Sequence, residues 1–313
     1  MHFKTPIAKS ELEKIFFDQI EQGTPRKIKE KPLIDLNNKE PFEFVLKREH
    51  LADFTEDAQT NGLGVERWLV NYEKEAKAST GGIRGVQNPL YPWDTRYPLN
   101  LLGVMLATLG KALVAKEKTS NAKKIVACEV RYNSPQYVEL IARIQAAYGI
   151  ETQVTDNYET IPIWMTSFLI FILDLYGGEY VTSSHAISKK IATKDLNNQG
   201  SQYTPAESSE FVNKIKDVVE QVRGVGQYTV KLAGIDDPLI DKQTVKKLEN
   251  GVSLYADYLR SGVASPINLS YINGVYPKII VECVGGCMYK TLNALFSNLG
   301  ILDNFVFTRK EED

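Results

Sequence analysis

Residues 180–190 read YVTSSHAISKK, a run of strand-forming residues that breaks into two serines and one of the chain's three histidines. Aromatic and β-branched residues suit a half-buried pleated strand, and clustered serines suit the turn after it. The expectation is a strand ending near Val181, with Ser184 in the loop beyond its carboxyl end. The same grammar repeats outward. KKIVACEV (123–130) and IETQVTD (150–156) read as further β-runs. LNLLGVMLATLGKALVAKEK (99–118), PQYVELIARIQAAYG (135–149) and IWMTSFLIFILDLYGG (163–178) read as helices. Strands alternating with helices of this length specify an α/β fold, a mixed, mainly parallel sheet with helices on both faces.

The flanks differ. Residues 1–65 are polar and lysine-rich, broken by Gly23, Pro25, Pro32 and Pro41, and read as a partly helical extension. Residues 66–225 form the first α/β/α domain, which closes on TPAESSEFVNKIKDVVEQV (204–222). There Thr204, Pro205 and Glu207 make a capping-box start to a helix. Residues 226–313 read as an incomplete second α/β/α domain, with a helix over 243–262, a β-run PKIIVECV (277–284), a helix over 287–300 and a β-run NFVFT (304–308).

Composition excludes several classes. There are 313 residues, 37 Lys and Arg against 39 Asp and Glu, and a net charge of −2, so no basic field exists to attract nucleic acid. The most apolar run, 161–178, is shorter than a bilayer span and contains Asp174, so no membrane segment is expected. Three cysteines, and an N-terminus MHFKTPIAKSELEK without an apolar core, suit a reducing, cytoplasmic setting.

Ligands of α/β sheets collect at the carboxyl ends of strands. A serine there can be an activated nucleophile, a phosphate carrier, or a hydroxyl that caps a turn. The hydrolase elbow G-x-S-x-G is absent, since the sequence reads T-S-S-H-A. STGGIRG (79–85) combines glycines, which let a backbone approach an anion, with the guanidinium fork of Arg84. CEVRYNS (128–134) puts Glu129 and Arg131 at a strand end, where they could form a local ion pair. Cys283 and Cys287 have metal-like spacing but no further Cys or His cluster beside them.

In this order the segments resemble the α-D-phosphohexomutase superfamily of phosphoglucomutases and phosphomannomutases. STGGIRG resembles its T-x-G-x-R-G loop, and VACEVRYNS resembles G-x-D-x-R-x-S with Glu129 in place of Asp. GIETQVTDNYETIP leads to a T-P-T-P-like turn at Thr160 and Pro162. GGEYVTSSH resembles the phosphoserine loop, GSQYTPAE the segment after it, and KIIVECVGG…LFSNLG the opening of the second domain. The resemblance implies a phosphohexomutase activity: phosphoryl transfer between the 1- and 6-positions of a hexose phosphate through a phosphoserine at Ser184. It implies catalytic roles for Ser184, His185, Lys194 and Arg84, and substrate or phosphate binding by Thr80, Gly82, Arg84 and Arg131. It also implies Mg2+, with the phosphoserine oxygen of Ser184 as the one recognisable ligand, and glucose 1,6-bisphosphate as activator.

Two departures qualify that expectation. The family's S-H-N-P and N-G-Y-K become Ser184-His185-Ala186-Ile187 and Ile191-Ala192-Thr193-Lys194. The metal-binding D-G-D-x-D-R does not occur. This chain alone is therefore expected not to turn over substrate. A second chain could supply the missing parts, a homo-oligomer could form, or the protein could be a non-catalytic module that binds a sugar phosphate or a partner.

Overall fold

A computed structural model describes residues 32–54, 62–78, 82–262, 269–275 and 278–312, together with Glu11, Lys14 and Ser265. Its centre is a sheet of six strands in the order β2-β6-β5-β3-β4-β8. These are β2 (Arg84–Val86), β3 (Lys123–Cys128), β4 (Glu151–Val154), β5 (Gly177–Val181), β6 (Lys190–Leu196) and β8 (Ile240–Asp241). Strands β5, β3, β4 and β8 run parallel, and β6 and β2 add antiparallel at one edge. This is the mixed, mainly parallel α/β sheet that the alternating pattern specifies.

Alternation along β3 divides the core between the two faces. Val126 and Cys128 pack with α2 (Leu101–Lys118), α3 (Ser134–Ala147) and α5 (Pro205–Val225), while α1 (Val65–Ala78) adds Leu69 and Tyr72 to the same cluster. Ile125 and Ala127 pack on the other face with Met165, Leu169 and Ile170 of α4 (Ile163–Ile172). The helix starts follow local chemistry. The Asn100 side chain accepts from Gly103 N at 2.9 Å and caps α2. At α5 the capping box forms as its sequence dictates, Glu207 N donating to Thr204 Oγ1 at 3.3 Å and Thr204 N to Glu207 Oε2 at 2.6 Å.

The apolar run 161–178 is not one helix. α4 ends at Ile172, Asp174 takes a left-handed φ of 51°, and Gly177 already begins β5. Among the described residues no helix is long and apolar enough to cross a membrane.

The domain boundaries expected at 65/66 and 225/226 also move. β1 (Phe42–Lys47) pairs antiparallel with β7 (Gln227–Leu232), from Phe42↔Leu232 to Lys47↔Gln227. Arg143 of α3, fully buried, ties this ribbon to the main body. It donates to Ala233 O at 2.7 Å, Asn38 O at 2.8 Å and Glu40 O at 2.7 Å. β8 then joins the main sheet beside β4. Residues 32–54 and 226–241 therefore belong to the first body. The pairing of β1 with β7, far apart in the chain, leaves no local signature in either segment. Of the helical patch expected over KSELEKIFFDQIEQG (9–23), only Glu11 and Lys14 are among the described residues, and both are helical.

Residues 244–312 form a smaller unit. α6 (Thr244–Ser261), a single turn α7 (Ile272–Val275) and α8 (Tyr289–Leu299) accompany the parallel strands β9 (Ile279–Glu282) and β10 (Phe305–Thr308). Tyr255 of α6 packs on Trp164 and Phe168 of α4, with ring centroids 5.1 and 4.9 Å apart. Val252, Ala256 and Leu295 continue the α4-side core.

Candidate functional site

β5 and β6 form a hairpin whose connecting loop, 182–189, carries Ser184. Thr182 N donates to Ala192 O at 2.8 Å and closes the hairpin. Beyond it, Glu129 at the end of β3 organises the turn. Its Oε1 accepts from Thr182 Oγ1 at 2.5 Å, Ser183 N at 2.8 Å and Arg131 Nε at 3.3 Å. Ser184 N donates to Thr182 Oγ1 at 2.9 Å, and Ser184 adopts a left-handed φ of 52°. That conformation costs a non-glycine residue about 1–3 kcal/mol, so the contacts around it must hold it. Ser184 and His185 are both exposed.

Arg131 supplies most of that hold. Its guanidinium donates to Ser184 O at 2.5 Å, Ala186 O at 2.7 Å and Ile187 O at 3.2 Å. The sequence suggested a phosphate-binding role for Arg131, but all three of its nitrogens already have loop or Glu129 partners. It is a clamp on the serine loop, and its fork spans carbonyls that a lysine could not bridge together. The ion pair with Glu129 is one part of this clamp.

Arg84 and Lys194 meet on the neighbouring strands. Arg84 lies opposite Ala192 in the β2–β6 pairing and is exposed, while Lys194 is half-buried on β6. Burial, then the positive charge of Arg84, holds the Lys194 ammonium below the usual lysine range, with Glu129 acting in opposition. Arg84, Lys194 and Glu129 therefore share one electrostatic environment beside the serine loop. Gly82 precedes β2 at a position with no room for a side chain. A Cβ there would come within 1.5 Å of Thr193 O, and φ is 97°, so glycine is required for β2 to reach β6. Thr80 lies outside the described residues.

A buried charge cluster anchors the hairpin base, and sequence reasoning missed it. Glu179 and Asp195 sit directly opposite each other in the β5–β6 register, both fully buried. Like charges opposed in this way repel. Lys111 of α2 bridges them, donating to Asp195 Oδ1 at 2.6 Å and closely to Glu179 Oε2. Lys124 of β3 lies 3.5 Å from Glu179 Oε1, and Gln145 donates to the same oxygen at 2.7 Å. Burial alone would raise the Glu179 pKa, but the two lysines outweigh it and lower it, whereas burial leaves Asp195 raised. The one sequence signal was Lys111 within the otherwise uncharged stretch 101–115 of α2.

The smaller unit closes on the carboxyl end of the sheet. Thr160 donates to Glu312 Oε1 at 2.5 Å, and Tyr180 Oη lies 3.9 Å from Cys287 Sγ. Burial raises the Glu312 carboxyl and pushes the Cys287 thiol up to about 12. Mg2+ takes oxygen ligands in near-octahedral geometry. Ser184 offers one hydroxyl, Oε1 of the neighbouring Glu129 is already shared by three donors, and among the described residues no three His, Cys, Asp or Glu side chains cluster as metal ligands. These residues do not fit a Mg2+ site.

An exposed serine thus sits in a clamped loop at a strand's carboxyl end, with Arg84 and Lys194 on the adjoining strands. Residues 76–222 match the family model for the phosphoglucomutase/phosphomannomutase α/β/α domain I. A phosphoglucomutase of Staphylococcus haemolyticus is 28% identical over 152 residues, covering 48% of this chain and 26% of that protein. One from Staphylococcus saprophyticus is 27% identical over 129 residues, covering 40% and 23%. A structure from Thermus thermophilus assigned as a phosphomannomutase superposes with a TM-score of 0.53 at 14% identity, over 75% of this chain and 46% of that one. The open form of the Paramecium phosphoglucomutase parafusin gives 0.50 at 13%, over 76% and 44%. Residues 76–222 are therefore similar to domain I of the phosphoglucomutase/phosphomannomutase enzymes, and the fold is theirs. It spans about a quarter of the length of the curated relatives it matches.

Proposed function

We propose that Ser184 is a phosphoryl carrier for hexose phosphates. In the accepting direction, the bond from a hexose bisphosphate oxygen to phosphorus breaks as the bond from Ser184 Oγ forms. The serine proton ends on the departing sugar oxygen, carried by Lys194. The return step reverses this onto a hexose monophosphate and exchanges the 1- and 6-positions. Such transfer is achieved mainly by positioning and electrostatics. One observation carries the reading: Glu129 and Arg131 hold Ser184 exposed in a strained conformation, in the segment that resembles the family's phosphoserine loop. The lowered Lys194 pKa supports its role in proton transfer.

A second reading is a non-catalytic hexose-phosphate-binding module. Ala186 and the exposed Ile187 favour it, since neither offers a polar group to a phosphate. Intact mass after incubation with glucose 1,6-bisphosphate and Mg2+, with Ser184→Ala as control, separates the two. One added phosphate in the native chain alone supports the carrier. No added phosphate, with hexose phosphate still bound, supports the module.

A further inference from the structure

A cavity of about 400 Å3 lies between α1, β2 and the 95–100 segment. Small-molecule sites typically occupy roughly 300–1,000 Å3. Three guanidinium groups, from Arg67, Arg84 and Arg96, line it with the carboxylate of Glu75, and Asp53 and Asp94 pair with Arg67 and Arg96 from outside the lining. Arg96 is fixed in place: Asp94 holds Nε and Nη2 at 2.8 and 2.7 Å, and the Phe54 ring lies 5.6 Å beneath. Arg67 meets Asp53 at 3.3 Å, with both side chains more than half exposed, a pairing that an incoming anion can replace. Trp68 and Tyr97 add aromatic wall to the same cavity. The edge of Trp68 is seated against Gly103, where a Cβ would come within 2.5 Å of the indole nitrogen.

The lining also contains unmet hydrogen-bonding capacity. Thr95 Oγ1, Trp68 Nε1 and Tyr72 Oη are buried without a protein partner. Buried polar groups are normally satisfied by protein, water or ligand. Guanidinium groups match phosphate oxygens, and a hydroxyl can serve a further oxygen.

The geometry points to a binding site here for a small phosphomonoester, separate from Ser184. The phosphate sits by Arg67 and Arg96, Thr95 Oγ1 serves an oxygen, and the carbon skeleton lies against Trp68 and Tyr97. Arg84 belongs both to this wall and to the environment of Lys194, so an occupant would adjoin the serine loop. The site uses neither Ser184 nor phosphoryl transfer, and it stands or falls apart from them.

The chain has three tryptophans, so its indole N–H region holds three cross-peaks, and Trp68→Phe identifies one of them. Glucose 6-phosphate is titrated into native protein, Ser184→Ala and Arg67→Gln, with glucose as the uncharged control. A saturable shift of the Trp68 peak is expected with glucose 6-phosphate but not glucose. It should persist in Ser184→Ala and weaken about tenfold in Arg67→Gln, the size of a lost charge-assisted contact. No shift by about 10 mM, a scale at which even weak sites fill, overturns the proposal. So does an equal response to glucose, loss of the shift in Ser184→Ala, or unchanged affinity in Arg67→Gln. Phosphate incorporation at Ser184 is read independently by mass.

Discussion

Replacing Lys111 with methionine strands two buried carboxylates. In the native chain, Lys111 and Lys124 balance Glu179 and Asp195, and Lys111 alone contacts both acids. Methionine keeps most of the apolar stem, so the change tests charge rather than volume. Removing one partner from a buried ionic cluster costs about 3–5 kcal/mol. At about 2–4 °C per kcal/mol for a body of this size, the melting temperature falls by roughly 6–20 °C. Urea unfolding followed by circular dichroism measures the loss. Adding Asp195→Asn leaves Lys124 facing Glu179 and should recover at least half of it. The pH response has a definite sign. In Lys111→Met one of the opposed carboxyls retains a proton when folded but releases it when unfolded, so the stability of the variant rises as pH falls from neutrality. A loss below about 1 kcal/mol, the level of an exposed ion pair, would refute this reasoning. So would a double variant no more stable than Lys111→Met.

Three further outcomes are expected. Arg131→Lys keeps the charge but loses the fork across three carbonyls; amide exchange at Ala186 should accelerate and phosphoryl acceptance fall about tenfold or more, with global stability within about 1 kcal/mol of native. Gly82→Ala places a Cβ within 1.5 Å of Thr193 O at a φ of 97° and should cost at least about 3 kcal/mol in urea unfolding. Burial alone would raise the Glu207 pKa, but bonds from the Thr204 amide and hydroxyl and from Asn197 lower it below the usual 4.5. Its contribution is therefore complete above that value and lost as pH falls through the folded pKa. Glu207→Ala should cost about 1 kcal/mol at neutral pH and nothing in strong acid, as read from melting curves at the two pH values.

The parts of the fold that local chemistry controls could be read from the chain. The sequence pattern located α2, α3 and strands β3, β4 and β5 but not β8, and Thr204 with Glu207 marked the start of α5. The loop beyond Val181 was legible as a loop because a strand must end where Thr and Ser replace its apolar run. What stayed hidden depends on distant pairing. β1 and β7 have no feature that names the other as partner, so the segments around them read as an extension and a new domain. The family resemblance implied phosphate binding by Arg131, while its place at a strand end suggested a local ion pair with Glu129. Only the course of the 184–187 loop shows that its carbonyls take up the guanidinium. Lys111, Glu179 and Asp195 likewise gain meaning only when the hairpin register and α2 bring them together.

The most direct measurement is site-resolved phosphate mapping of residues 182–189 after incubation with glucose 1,6-bisphosphate. Ser183 N is tied to Glu129, whereas the Ser184 side chain stands exposed in the clamped turn. A single phosphate on Ser184, absent from Ser184→Ala, is the expected result. Phosphate on Thr182, Ser183 or Ser188 instead, or none anywhere in the loop, would contradict the assignment of Ser184 as the phosphoryl carrier.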